Sequence, residues 1–103
     1  MKDILIGGHR ILTTDDIADA VLSYARVLIE RRTADIVEFP SIHDGSPTLC
    51  SLLLGGTGLM AVVDAPVALT APVGGADLAL DEITRRAAAL RGAEVLRGGM
   101  LAC

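Results

Sequence analysis

Thr13-Thr14-Asp15-Asp16-Ile17-Ala18-Asp19-Ala20-Val21-Leu22-Ser23-Tyr24-Ala25-Arg26-Val27-Leu28-Ile29-Glu30-Arg31-Arg32 is the stretch on which the fold turns. Ile17, Val21, Tyr24 and Leu28 recur at helical spacing, and Ala18, Leu22, Ala25 and Ile29 form a second apolar row beside them. Asp19, Ser23, Arg26 and Glu30 make the opposite, wet stripe, so the segment reads as an amphipathic helix with a broad buried face. Thr13 is the expected cap, with Asp16 three residues on as a variant capping box. Asp15 and Asp16 complement the helix dipole at the start, and Arg31-Arg32 close the negative end. The pattern predicts a helix over about 14–32.

On both sides of this helix the apolar period changes. Upstream, Ile4-Leu5-Ile6 and His9–Leu12 read as strands joined by Gly7-Gly8, a pair suited to the positive φ angles of a two-residue hairpin. Downstream, Ile36–Phe39 reads as a strand ending at Pro40, and His43-Asp44-Gly45-Ser46 as a hairpin turn. Thr48–Leu54 is its partner, Gly55–Gly58 a further turn, and Leu59–Val63 a third strand. These three runs are expected to form an antiparallel meander. Their near-continuous apolarity implies a sheet covered on both faces, or one face buried in a partner. After a loop over Ala65–Gly75, a second helix is expected from Asp77 or Leu80 to Arg91, with Gly92 as its stop. Glu94–Leu96 could add one short edge strand.

The expected fold is therefore a single α+β domain over residues 1–103, with element order β-β-α-β-β-β-α and an optional last strand. It is a two-layer sandwich, an antiparallel meander sheet with two helices on one face. Its core must be aliphatic: 51% of residues are apolar, yet Tyr24 and Phe39 are the sole aromatic side chains. The formal charge of −4 and the absence of a basic run exclude a nucleic-acid partner, while a basic protein surface is complementary. Leu59–Val73, the longest apolar stretch, is broken by Asp64, Pro66 and Pro72, so no membrane span and a cytoplasmic location are expected. Ile4–Ile6 is too short for a signal sequence.

Few residues suggest chemistry. His9 and His43 both sit at tight turns, and Asp44 beside His43 offers acid/base or metal chemistry; the same residues also make an ordinary hairpin tip. Neither glycine-rich turn has the spacing of a phosphate-binding loop. Cys50 lies in an apolar strand, where a thiol is inert, and no nucleophile elbow surrounds Ser51. Cys50 and Cys103 fit no zinc or redox spacing. No catalytic set, metal or cofactor is thus expected. Asp15, Asp16 and Asp19, with Asp35 and Glu38 on the following strand, read either as dipole complement and solvated surface or as an acidic patch that docks on another protein.

Ile4–Ile17, a strand, a turn and a capped acidic helix start, together with Ser46–Asp64, resembles small bacterial immunity proteins of polymorphic toxin systems. Barstar-like proteins open similarly. The resemblance implies a stoichiometric inhibitor that covers the basic active site of a toxin. The chain departs from such families in having no Trp near its ends. Leu96-Arg97-Gly98-Gly99 is in turn similar to the processed tail of ubiquitin-like proteins. Three functional classes follow: a non-enzymatic interaction domain, a small His-dependent or metal-dependent enzyme, and a homodimer or other homo-oligomer, assembled through an apolar strand, that binds a small molecule in a shared pocket.

Overall fold

A computed structural model of the chain describes the backbone of residues 1–56, 59–65 and 73–102, and the side chains of these up to residue 92. Strands β1 (Lys2–Ile6) and β2 (His9–Thr13) lead into helix α1 (Asp15–Glu30). Strands β3 (Asp35–His43), β4 (Ser46–Leu54) and β5 (Met60–Asp64) follow, and then helix α2 (Ala76–Ala102). The class and element order are those expected, α+β with β-β-α-β-β-β-α, and the five strands form one open antiparallel sheet.

Both predicted hairpin turns form. Gly7 and Gly8 have φ of +56° and +79°, and Asp44 and Gly45 have +50° and +78°, the double left-handed signature of a type I′ turn. Pro40, expected to end its strand, lies within β3. The carbonyls of Ile36 and Pro40 both turn away from β4: that of Ile36 accepts from Arg86 (3.0 Å) and that of Pro40 from the Thr13 hydroxyl (2.8 Å). Pro40 therefore stands at a position where the β3–β4 ladder needs no N–H from it.

The helix start moves by one residue. Thr14, with extended φ of −67° and ψ of 155°, is the cap, and its Oγ1 accepts from the N–H of Ile17 at 3.2 Å. Thr13 stays in β2, where its hydroxyl is already committed to Pro40. The helix ends at Glu30 rather than Arg32. Arg32 adopts φ +55°, its N–H reaching the carbonyl of Ile29 (3.1 Å) while the N–H of Thr33 reaches that of Leu28 (3.0 Å). This is a Schellman closure with arginine where glycine is usual.

The sheet order is β4-β3-β2-β1-β5. The expected β3-β4-β5 meander is thus corrected: β5 leaves β4 and pairs along all five residues of β1, from Lys2↔Asp64 to Ile6↔Met60. Gly55 makes the departure possible. Its φ is +106°, and a Cβ there would collide with the Thr33 carbonyl oxygen and lie 3.0 Å from Ala34 Cα, so a side chain would push β4 off the α1–β3 connection.

Both helices cover one face. Ile17, Val21, Tyr24 and Leu28 of α1 and Ile83 and Ala87 of α2 meet Ile4, Val37, Phe39 and Leu54 of the sheet in a single buried cluster. The buried face of α1 is narrower than its pattern implied, since Leu22 and Ile29 remain exposed. The helices lie side by side and run the same way. Thr14 and Ile17 share a shallow cleft with Ala76 and Leu80, and Arg31 at the far end donates to the Leu90 carbonyl at 2.7 Å.

Two expectations for the C-terminus are corrected. Helix α2 continues through Gly92, and Glu94–Leu96 is helical, not an edge strand. Leu96–Gly99 lies on the same helical backbone rather than in an extended ubiquitin-like tail. A stop at glycine requires the left-handed conformation, and Gly92 does not adopt it. Pro66, Pro72, Thr57, Gly58 and Cys103 lie outside the described residues.

Candidate functional site

The five acidic residues do not form one patch. Asp15 pairs with the N-terminal ammonium at 2.9 Å, and this hydrogen bond holds its carboxyl below the usual range. Asp19 accepts from Lys2 Nζ at 2.9 and 3.2 Å. Asp35 is the hub of an internal network: Tyr24 Oη donates to its Oδ2 at 2.6 Å, and Arg86 Nη1 to the same oxygen at 3.0 Å. The Tyr24–Asp35–Arg86 contacts tie α1, β3 and α2 together, and Arg86 is steadied by a bond to Glu82 of its own helix at 2.8 Å. The Tyr24 hydrogen bond is the main reason the Asp35 carboxyl sits below its ordinary range. Burial, reinforced by Asp35, pushes the Tyr24 phenol up to about 12. Asp16 and Glu38 remain exposed and make no ion pair with a described residue. Glu38 stands on the helix-free face of the sheet, on the strand face opposite Val37 and Phe39.

His9 and His43 do approach a common place. Both line an open cleft of about 400 Å³ at the hairpin end of the sheet, with Ser41, Thr48 and Cys50. The Asp44 carboxylate lies 3.4 Å from His43 Nε2 at the exposed tip. Among the described residues no three His, Cys, Asp or Glu side chains converge with metal-binding geometry. Cys50 is a free, half-buried thiol, raised above its ordinary pKa by burial, so it is a poor nucleophile at neutral pH. Among the described residues no helix is long and apolar enough to cross a membrane.

The feature that the candidate residues did not isolate is the helix-free face. Ile36 is 57% exposed there, Leu49 65%, Leu53 63% and Val63 40%. The ladder pairs Ile36 with Leu53, Pro40 with Leu49 and Leu12 with Ile42, so these side chains form neighbouring rows on one surface, while Val63 stands apart on β5 opposite Asp3. The near-continuous apolarity of 46–54 is the signal for it. That signal does not say which face is left open, because it does not place the helices.

No protein-family model matches the chain, and no match is found among curated proteins or solved structures.

Proposed function

We propose that this chain is a non-enzymatic protein-interaction domain that docks through the helix-free face of its sheet. The observation that carries the reading is the set of large aliphatic side chains, Ile36, Leu49 and Leu53, exposed side by side on β3 and β4. Contiguous exposed apolar surface of this kind is a mark of protein contact. Glu38, set among them, selects a partner with a basic group opposite it, and the cost of burying an unpaired carboxylate rejects others. Asp16 adds negative potential outside the contact. Asp15, Asp19 and Asp35, already engaged with cations of their own chain, contribute little to docking.

This reading accords with the resemblance to immunity proteins, in which a small acidic domain neutralises a toxin one-to-one by covering a basic active site. Such an inhibitor works in the cytoplasm, where Cys50 stays reduced. The test is calorimetric titration against the product of the adjacent gene. A 1:1 complex is expected, weakened at least 100-fold by Ile36→Lys or Glu38→Lys with the circular dichroism unchanged. Binding undiminished by both substitutions, or no binding at all, overturns the proposal.

A further inference from the structure

β4 is an edge strand, and no described strand pairs with its outer side. Its nine residues, Ser46 to Leu54, carry no charge, and the β3–β4 register runs unbroken from His43↔Ser46 to Asp35↔Leu54. Natural edge strands are usually short, charged, bulged or covered. Within β4 itself Pro47, near one end, is the sole blunting residue.

Which backbone groups face the edge follows from the hairpin. The two-residue loop Asp44-Gly45 closes on the hydrogen-bonded pair His43–Ser46, so alternate pairs are hydrogen-bonded and the others are not. The carbonyls of Ile36 and Pro40, engaged away from β4, confirm that Ile36–Leu53 and Pro40–Leu49 are of the second kind. Pro47, Leu49, Ser51 and Leu53 therefore turn their main-chain polar groups outward, and Pro47 alone has no N–H to offer.

We infer that β4 pairs antiparallel with β4 of a second copy, about a two-fold axis at Ser51. The placement of the exposed leucines selects this register. Centred on Ser51, the pairing sets Ser51 opposite Ser51 and Leu49 opposite Leu53, and moves each Pro47 to the end of the ladder opposite Gly55. Centring on Cys50 would instead set Leu49 against Ser51 and Pro47 against Leu53, so the exposed leucines lose each other as partners and the outermost edge-facing pair at each end lacks one N–H donor. The Ser51 register also matches side chains on both faces: Leu49 meets Leu53 on the open face, and Cys50 meets Leu52 on the other. No like charges oppose one another, and two-fold symmetry counts each contact twice. A second copy is therefore a better occupant than an arbitrary strand. The open faces of the two copies then become one continuous ten-stranded surface.

A single strand pair buries less than about 1,200 Å² in total, so the dimer is reversible and assembles at roughly 10–100 µM. Sedimentation equilibrium from about 5 to 500 µM should follow the mass from 10.7 kDa towards twice that value. Ser51→Pro removes an N–H that faces the edge and leaves the β3 ladder intact, so the variant should keep its circular dichroism and remain monomeric throughout. In a Cys50→Ser, Cys103→Ser background, Ser51→Cys should form an intermolecular disulfide on mild oxidation, because directly opposed Cα atoms lie about 5.5 Å apart. Pro47→Cys in the same background should not. A wild-type chain that stays monomeric at about 500 µM overturns the inference, as does a Ser51→Pro dimer. If Ser51→Pro does not fold, absence of the crosslink in the Ser51→Cys variant overturns it. The inference concerns the sheet edge and stands or falls independently of docking through the open face, whose test residues Ile36 and Glu38 are on β3.

Discussion

Asp35 begins a strand and reads in sequence as one more surface carboxylate, yet it receives hydrogen bonds from Tyr24 of α1 and Arg86 of α2. The pair makes stability depend on pH at both ends of the scale. The folded Tyr24 pKa of about 12 lies above its ordinary value of 10.0, so its contribution is fully present below pH 10 and lost as pH rises towards 12. The Asp35 carboxyl is lowered, so its contribution is present above about pH 4 and lost as pH falls through the folded value. Melting temperature should thus fall at both extremes. Tyr24→Phe should remove much of the alkaline slope and cost about 1.5 kcal/mol at neutral pH, the lower range for a hydrogen bond to a charged group, since Arg86 still holds Asp35. A second residue-scale prediction concerns Arg32. An L-residue in the left-handed region is disfavoured by about 1–2 kcal/mol, and glycine returns part of that gain through unfolded-state entropy. Arg32→Gly should therefore raise stability by roughly 0.5–1 kcal/mol in urea unfolding.

At the scale of elements, the second helix is the instructive case. A glycine after an apolar helical stripe is a stop signal when the chain takes the left-handed conformation, and a tolerated interior residue when it does not. Gly92 belongs to the second class, and a Cβ there would meet nothing within 4 Å. Gly92→Ala should accordingly stabilise the protein by about 0.5–1 kcal/mol, read as an increased urea midpoint with unchanged slope. Were Gly92 the helix stop, the same substitution would destabilise. The sheet has the complementary lesson. Gly55 turns the chain out of β4 against the α1–β3 connection, which frees β5 to pair with β1 and leaves β4 as the edge.

For the whole molecule, the decisive property is that two helices cover one face of five strands and nothing among the described residues covers the other. With the buried core on the inner side, the exposed aliphatic side chains of the outer face should contribute little to folding. Ile36→Lys combined with Val63→Lys should change unfolding free energy by less than about 1 kcal/mol, as surface substitutions do, while sharply reducing binding of an apolar dye such as ANS. A large loss of stability would mean that this face is part of the core rather than a contact surface.

Much of the fold was legible because its determinants are local. The 3.6-residue period of 17–28 and the Gly7-Gly8 and Asp44-Gly45 turns each act over a few residues, and each formed where expected. The cap at Thr14 rather than Thr13 was decided by a hydroxyl reaching Pro40, twenty-seven residues away. Strand order, the placement of Asp35 against Arg86 and the identity of the open face depend on contacts between distant segments, whose energies no short pattern contains. Local patterning fixed the type and order of the seven elements and that the core is aliphatic; it missed the run of the second helix past Gly92, and tertiary packing alone decided which carboxylates stay free and which apolar rows are left in water.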